Sequence, residues 1–494
     1  MKQTRQEEIS LKLTKEVERW GVFELTLEGP SEGNPFNDIQ LGAQFKKGLL
    51  YAEADGFYDG NGKYRIRFMP KEEGVWAFTT SSNCSDLNGI VGEFTCTISE
   101  DGNHGPVQVK NAVHFQYADG TRFIPVGTTC YVWHLQSEQL QEQTLRTLQQ
   151  SPFNKIRMCV FPKSYVFNNA EPDAYPFEGS PEQGFDFSRF CPEYFAHLER
   201  RVKDLADLGI EADLILFHPY DEGRWGFDEM SPDEDEHYLR YVIARLGAYR
   251  NVWWSLANEY DLMKHKKTED WTRLFRIVQE YDYGGHLRSI HNCRTWYDFG
   301  VPWVTHASIQ HNDVRVASEA TKQYGKPVII DECGYEGNLD TRWGSLTPEE
   351  LVCRIWEGNC RGGYVTHGES YLNAEQVLWW SHGGELHGRS VRRIDFMRGI
   401  LQDAPGQMTY SSDRLDAATL EVRGEYYLQY FGPHRFAFRE FSLPDGKYEV
   451  DLIDTWNMTI TPLTGSYEGR FRIDLPGKLY YALRIRKMTD SSKK

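Results

Sequence analysis

Three stretches of the chain differ in the spacing of their hydrophobic residues. Residues 12–98 contain short runs in which apolar and polar positions alternate, among them 22–27, 64–68 and 93–98. Such alternation is typical of half-buried β-strands, and Asp59-Gly60-Asn61-Gly62 is a strong hairpin-turn signal. Residues 1–105 are therefore predicted to form an N-terminal β-sandwich of the immunoglobulin-like type, which ends in a polar linker.

Residues 106–405 show a different pattern, in which apolar strands alternate with amphipathic helices. Pro192 and Gly209 mark the start and the end of one such helix. The strands are predicted at 123–128, 155–160, 212–217, 251–256, 287–290, 304–309, 327–331 and 364–367, and the helices at 138–150, 192–208, 232–248, 268–281, 314–324 and 347–360. Eight strands with helices between them favour a (β/α)8 TIM barrel.

A doubly wound open sheet is the alternative fold for this stretch. Its first strand usually runs into a glycine-rich phosphate loop, and residues 127–131 lack that pattern. Residues 406–494 return to alternation, with strands predicted at 426–431, 448–453 and 470–475. They are predicted to form a second, smaller β-sandwich, so the fold class is α/β with a β-sandwich on each side of a barrel.

Composition narrows the classes of function. The 494 residues include 55 Lys and Arg against 72 Asp and Glu, a net charge of −17 that argues against a nucleic-acid binder. Aromatic residues make up 14% of the chain, which suits the faces of sugar rings but also suits large β-rich cores. No apolar run is long enough to span a membrane, and the polar N-terminus lacks a signal peptide, so a cytoplasmic protein is expected.

Nine cysteines occur without any C-x-x-C spacing, so neither a disulfide framework nor a structural zinc site is expected. No metal or organic cofactor is implied. Several histidines follow the predicted strands, which keeps a metal-dependent barrel hydrolase as a weaker alternative.

The ends of the predicted barrel strands carry the candidate chemistry, because active sites of such barrels lie there. The fourth strand runs into Asn258-Glu259 and the seventh into Asp331-Glu332. Two carboxyl groups about 5–5.5 Å apart are the arrangement of a retaining glycosidase. Glu259 and Glu332 are therefore the predicted catalytic pair. Alternation along a strand sends Asp331 and Glu332 to opposite faces, so only one of the two is expected to face the site.

Other strand ends supply polar and aromatic side chains. An inward Arg157 could hold a carboxylate ionised, although a structural ion pair is the alternative. Histidines and amides could bind sugar hydroxyls, and Trp side chains could stack on sugar rings, although each could instead be a core residue. Glu369 is a third carboxylate at the same rim and the main rival for a catalytic role. The predicted substrate-binding set is Trp133, Arg157, His218, Asn258, His291, Gln310, His311, Glu369 and Trp380.

The segment 164–190 is rich in Tyr, Phe and Pro and has no clear helical pattern. Long loops in compact domains are often functional, so this segment is expected to wall the site.

These residues resemble a known family. The run 153–157 on strand two, His218, Asn258-Glu259 and Glu332 resemble the large clan of (β/α)8 retaining glycoside hydrolases. Within that clan, the runs 194–198 and 249–259 look like the apiosidase-like group of bacterial proteins with flanking β-sandwiches. The resemblance implies that Glu259 is the acid/base, that Glu332 is the nucleophile, that Arg157 supports Glu332, and that His218 and Asn258 line the sugar site.

The chain departs from the clan at two positions. Tyr260 follows the strand-four glutamate where many members have Pro, and Gln310-His311 stands where many have a Tyr near the end of strand six. These differences bear on the substrate more than on the mechanism.

The sequence thus predicts a retaining glycoside hydrolase that acts on small carbohydrates, more readily by exo-action than by cleavage of a polymer. A transglycosylase using the same residues and a non-catalytic carbohydrate-binding barrel remain alternatives. The flanking sandwiches could bind sugar, shape the rim or form a homo-oligomer interface, but simple packing against the barrel is the expected role.

Overall fold

The structure is a computed structural model that describes residues 10–11, 15–167, 171–221, 223–412 and 416–488. Its N-terminal part is a β-sandwich. The strands are Ser10–Leu11, Glu16–Glu18, Phe23–Glu28, Leu41–Lys47, Leu50–Tyr58, Lys63–Phe68, Gly74–Ser82 and Val91–Thr97. The short helix Pro35–Asp38 lies between the third and fourth of them.

One long strand forms the corner of this sandwich. Leu50–Tyr58 pairs with Leu41–Lys47 through its first residues and with Lys63–Phe68 from Gly56 onward. A Cβ on Gly56 would lie 2.9 Å from a backbone oxygen, so only glycine allows the strand to cross at this point. The two halves close over an aromatic core in which Phe23 stacks on Phe94 at 4.1 Å.

The middle of the chain is the predicted barrel. Its strands are Gly127–Thr129, Lys155–Cys159, Glu211–Phe217, Val252–Ala257, Arg288–Ser289, Ala307–Gln310, Val328–Glu332 and Tyr364–Val365. All the paired neighbours are parallel. Single parallel bridges, Thr128 to His367 and His291 to Ser308, join the two remaining edges and bring the barrel close to closure.

The helices of this domain surround the barrel. They are Glu138–Gln149, Pro192–Asp207, Pro232–Leu246, Thr268–Tyr281, Val316–Tyr324, Pro348–Cys360, Trp379–His382 and Ser390–Gln402, with short 3-10 turns at Trp133–Leu135 and Tyr260–Leu262. The prediction of a TIM barrel flanked by β-domains is confirmed, but Ser390–Gln402 was not predicted, because Arg392, Arg393 and Arg398 interrupt its apolar positions.

Two predicted elements differ in the structure. The first barrel strand begins at Gly127 rather than at residue 123, because Pro125 interrupts the run and Arg122–Phe123 joins a small sheet with Val107–Lys110 and His114–Tyr117. That sheet plugs the amino end of the barrel, where Phe115 packs on Trp253 at 5.4 Å. The segment 164–190 contains the hairpin Phe177–Ser180 and Gly184–Phe190 instead of being a continuous loop.

The C-terminal part is the second β-domain. A six-stranded sheet consists of Thr409–Tyr410, Ala418–Val422, Tyr426–Tyr430, Tyr448–Asp454, Thr459–Pro462 and Tyr481–Lys487, and it faces a pair formed by Phe438–Ser442 and Arg470–Asp474. Residues such as Tyr427, Phe441 and Leu483 fill the space between the two sheets. Within the described ranges, no helix is both long and apolar enough to cross a bilayer.

Candidate active site

A layer of buried charges lies below the carboxyl-end mouth of the barrel. Lys155 Nζ lies 2.6 Å from Asp213 Oδ2 and 2.9 Å from Asp331 Oδ1. Ser308 and Thr366 donate to the two oxygens of Asp331 at 2.6 and 3.0 Å. Because Asp331 is contacted from the second and sixth strands and from the end of the eighth, its side chain must point into the barrel interior.

Glu332 lies at the mouth above Asp331, on the same interior side. In the pairing with strand six, Ile309 lies opposite Ile330 but Gln310 lies opposite Glu332, so Asp331 is the extra residue of a β-bulge. A bulge breaks the alternation of side chains along a strand. Both acids therefore point inward, which the alternation along the strand did not predict, but only Glu332 faces the mouth, while Asp331 supports the floor.

Three side chains from other strands converge on one oxygen of Glu332. The Tyr131 hydroxyl and Arg157 Nη1 both donate to Oε1, the latter at 3.2 Å. His291 Nε2 lies 3.5 Å from the same oxygen. Burial by itself raises the pKa of Glu332, but His291, the Arg157 charge and the Tyr131 hydroxyl together lower it to about 2. Glu332 is therefore held as a carboxylate.

Glu259 begins the turn after strand four in a left-handed backbone conformation, with φ 47°. Its side chain is buried, and the Gln310 amide nitrogen, when turned toward it, lies 3.0 Å from Oε1. Burial and the charge of Glu332 raise the pKa of Glu259 to about 7. The two glutamates thus lie in environments that shift their pKa values in opposite directions, as an acid and a nucleophile require.

Asn258, which directly precedes Glu259, contacts two of the side chains that surround Glu332. Its Oδ1 accepts from Arg157 Nη2 at 2.8 Å, and the oxygen of Tyr131, whose proton is donated to Glu332, lies 3.3 Å from it. Within the described part of the chain, its buried Nδ2 has no hydrogen-bond partner, and neither has the buried Nε2 of His218. Burial lowers the pKa of His218 to about 3, so this imidazole is neutral.

Aromatic rings form one wall of the site. Trp380 packs edge-on to Tyr131 at 5.8 Å and to Tyr165 at 5.6 Å. Tyr165 in turn meets Tyr220 at 5.3 Å. The rings surround Lys163, whose Nζ lies 3.8 Å from the centre of the Tyr131 ring.

The structure thus brings together most of the predicted residues around Glu332 and Glu259, namely Arg157, His218, Asn258, His291, Gln310 and Trp380. Three others lie elsewhere. Trp133 is fully buried among the barrel helices, with its ring 6.0 Å from the Arg201 guanidinium. The His311 ring turns to the Asp313 backbone at 2.9 Å.

Glu369 is the third residue that lies outside the cluster. Its oxygens accept the backbone N–H groups of His387 and Gly388 at 2.6 and 2.9 Å, ahead of helix Ser390–Gln402. Burial raises the pKa of Glu369 to about 7. Glu336, His367 and Glu369 form a group whose ligand atoms are close enough to hold a metal ion. However, backbone donors already occupy both carboxylates, and a helix N-terminus repels a cation.

Sequence reasoning missed Tyr131, Lys163 and Tyr220. Tyr131 lies two residues after the end of strand one, a position that could have drawn attention to it. Lys163 lies in the loop after strand two, and no sequence signal marks it.

Comparison with known protein families shows which of them the chain matches. A model of the apiosidase-like catalytic domain matches residues 109–384, more than half of the chain. Two domains of unknown function flank it: DUF5060 matches residues 16–83 and DUF5605 matches residues 415–486. No curated protein matches the chain.

Solved structures agree with this result. A protein from Bacteroides vulgatus ATCC 8482, provisionally assigned as a glycoside hydrolase, is 42% identical, with a TM-score of 0.92 over 96% of this chain and 100% of its own. A family 5 glycoside hydrolase from the same strain shares 14% identity and a TM-score of 0.63 over 79% of this chain and 95% of its own, which shows a common fold. The chain belongs to the apiosidase-like family and is a glycoside hydrolase.

Proposed function

We propose that this glycoside hydrolase retains the anomeric configuration and works by double displacement, with Glu332 as the nucleophile and Glu259 as the acid/base. The observation that carries the proposal is the opposed environment of the two glutamates. Donors around Glu332 favour its carboxylate, whereas burial and the neighbouring charge favour the protonated form of Glu259.

In the first step, an oxygen of Glu332 attacks the anomeric carbon of the sugar. Tyr131, Arg157 and His291 cluster at Oε1, so Oε2 is the oxygen that attacks. The bond between the anomeric carbon and the leaving oxygen breaks as Glu259 transfers its proton to that oxygen. The products are a glycosyl ester on Glu332 and an ionised Glu259.

In the second step, Glu259 takes a proton from water while the water oxygen attacks the anomeric carbon. The ester bond to Glu332 breaks, and its electron pair returns to the carboxylate. Two inversions give net retention, and both glutamates regain their starting protonation states.

The substrate is proposed to be a small glycoside or oligosaccharide from which one terminal sugar is released. The deep burial of Asn258 and Glu259 supports a pocket rather than an open cleft. Asn258 Nδ2 and His218 Nε2 would bind sugar hydroxyls, since neither is used within the described chain. The family description makes a branched pentose one glycone to test.

The proposal is tested with aryl glycosides of α- and β-linked hexoses, pentoses, deoxysugars and branched pentoses. Wild type, Glu332→Gln and Glu259→Gln are compared, and Glu280→Gln on the exposed face of helix Thr268–Tyr281 is the matched control. We expect one preferred glycone, with turnover lost in both site variants and kept in the control. Activity that survives Glu332→Gln would contradict the assignment.

Mechanism and mode of action need two further measurements on the accepted sugar. Proton NMR during hydrolysis should show the starting anomer first, and an activated 2-deoxy-2-fluoro glycoside should leave a covalent adduct on the peptide that contains Glu332. Digestion of an oligosaccharide should release only monosaccharide at early times. An inverted first product would exclude double displacement, and transfer to an added sugar acceptor would indicate a transglycosylase.

A further inference from the structure

One carboxylate fastens the turn that follows Glu259 to the loop after strand five. Asp261 lies in the 3-10 turn Tyr260–Leu262 and accepts three consecutive backbone N–H groups of that loop. Its Oδ1 accepts the N–H of Cys293 at 2.6 Å, and its Oδ2 accepts those of the next two residues at 2.8 Å each. Hydrogen bonds to a charged acceptor are short and strong. These three bonds, here called the Asp261 clamp, join two loops at the mouth of the barrel.

The backbone at Glu259 needs such a constraint because its conformation is strained. Its φ of 47° and ψ of 52° lie in the left-handed region, where a residue with a Cβ persists only if its surroundings fix it. The Tyr260 N–H donates to the His291 carbonyl at 3.0 Å, and the Leu262 N–H donates to the Glu259 carbonyl at 2.9 Å. These two bonds shape the turn, and the Asp261 clamp fixes it against the neighbouring loop.

The clamped loop also carries groups that contact the Glu259 side chain. Asn292 exchanges two hydrogen bonds with the backbone of Gln310, at 3.2 and 3.3 Å. The Gln310 amide nitrogen, turned toward Glu259, lies 3.0 Å from Oε1. The Cys293 thiol also donates to the Glu259 carboxyl group. The loop that Asp261 holds therefore determines both where Glu259 lies and what surrounds its carboxyl group.

We propose that Asp261 is a positioning residue, whose bonds to residues 293–295 hold the Glu259 carboxyl group where it can protonate the oxygen of the leaving group. The inference rests on the proposed function of Glu259 as the acid/base. Asp261 acts through Glu259 and takes no part in the proton transfer itself. Its loss should therefore matter most for a substrate whose leaving group needs the proton.

The test compares Asp261→Asn, which keeps the size of the side chain, with Asp261→Ala, which removes the clamp. The asparagine NH2 group cannot accept a hydrogen bond, so at least one of the three N–H groups loses its partner. Asp282→Asn is the matched control, because Asp282 also accepts a backbone N–H, that of His286 at 2.8 Å, but at the amino end of strand five. Melting temperatures of all variants separate loss of fold from loss of position.

The first readout is kcat/KM on two aryl glycosides of the accepted sugar, which reports the first step. A dinitrophenolate leaves without a proton, whereas an unsubstituted phenol needs one. General acid catalysis contributes about 10²–10⁴-fold, so Asp261→Asn should lower kcat/KM by about tenfold or more on the phenyl glycoside and by less than about twofold on the dinitrophenyl glycoside. Asp261→Ala should show a larger difference, and Asp282→Asn should show none. Equal changes on both substrates in a folded Asp261 variant would overturn the inference.

The second readout does not depend on turnover. Hydrogen exchange, measured by mass spectrometry, follows the backbone amides of the peptide that contains residues 293–295. Their exchange should be faster in both Asp261 variants and unchanged in Asp282→Asn, because a lost hydrogen bond lowers local protection. Unchanged exchange in the Asp261 variants would overturn the inference. If wild type cleaves no glycoside while exchange still rises, the proposed function fails and the clamp alone stands.

Discussion

Two neighbouring residues on the seventh strand illustrate how position decides chemistry. Asp331 and Glu332 are both acids, yet Asp331 is neutralised by Lys155 below the mouth and Glu332 is held by donors at the mouth. The pKa of each is lowered, by different partners. Of the two, only the Glu332 side chain is partly exposed, so the depth in the barrel separates a structural acid from the proposed nucleophile.

The proposed roles of Glu259 and Glu332 predict how activity depends on pH. The acid must be protonated, and burial raises the pKa of Glu259 to about 7, so kcat/KM should fall as pH rises through about 7. Glu332 remains ionised down to about pH 2, so an acid limb above pH 4 would have to come from another group or from unfolding. The measurement is kcat/KM from pH 4 to 9. A basic limb that lies far from pH 7 would contradict the assignment.

Tyr131→Phe should weaken catalysis without unfolding the protein. The variant removes one hydrogen bond to the Glu332 carboxylate, and hydrogen bonds to charged groups contribute about 1.5–3 kcal/mol, or about 10–100-fold in kcat/KM. Tyr194→Phe is the control, since the Tyr194 hydroxyl is equally buried but donates to the Val160 carbonyl. The prediction fails if the two variants lose the same activity.

At the scale of elements, the bulge in strand seven decides where the Asp331 side chain points. It turns Asp331 into the interior, where Lys155, Ser308 and Thr366 contact it from three other strands. The charged layer therefore fixes the register of the strand that carries Glu332. Disrupting this charged layer should therefore lower the free energy of unfolding.

Asp331→Asn should destabilise the barrel by about 1.5–3 kcal/mol, because the buried hydrogen bonds from Lys155, Ser308 and Thr366 lose their charged acceptor, while Asp213 still pairs with Lys155. The lowered pKa of Asp331 means that its contribution is present above the unfolded value of about 3.9 and declines as pH falls below it. Denaturant unfolding at pH 7 and pH 3 measures both effects. Ser308→Ala keeps the charges and should cost about 1 kcal/mol. An equal loss in the two variants would refute the role of the charge.

At the scale of the whole molecule, ionic contacts join the N-terminal sandwich to the barrel. Arg67 of the sandwich donates to Glu199 at 3.0 Å and to the Arg245 carbonyl at 2.7 Å. Arg245 in turn lies 2.8 Å from Asp59. All four side chains are buried or nearly so. On the other side, Trp356 of a barrel helix stacks on Tyr430 of the C-terminal sheet at 5.4 Å.

Glu199→Gln should therefore lower the stability of sandwich and barrel together, by about 3 kcal/mol, since two buried guanidinium groups lose their shared partner. Calorimetry should show one transition that moves down as a unit. The exposed acid variant Glu193→Gln on the same helix is the control. A sandwich that melts separately while the barrel stays unchanged would show that the contact does not couple them.

Local sequence patterns were sufficient to predict the architecture and to locate the two glutamates at the ends of strands four and seven. Period-two and helical spacing depend on neighbouring residues, so the barrel strands and helices could be read directly, and strands four and seven of a closed barrel must end at the same mouth. The boundary of the first barrel strand was predicted less well, because the pattern alone did not reveal that Phe123 belongs to the small sheet at the amino end of the barrel, before Pro125. Helix Ser390–Gln402 was missed because arginines interrupt its apolar positions.

Only the tertiary structure decided which side chains meet. Tyr131, Lys163 and Gln310 come from three different parts of the chain, and their contacts with the glutamates or with each other depend on barrel closure and loop paths that no local pattern encodes. The bulge that turns both Asp331 and Glu332 inward depends on pairing with strand six. The sequence by itself thus determined the scaffold and the positions of Glu259 and Glu332 at the ends of strands four and seven, whereas long-range packing decided their protonation and their partners.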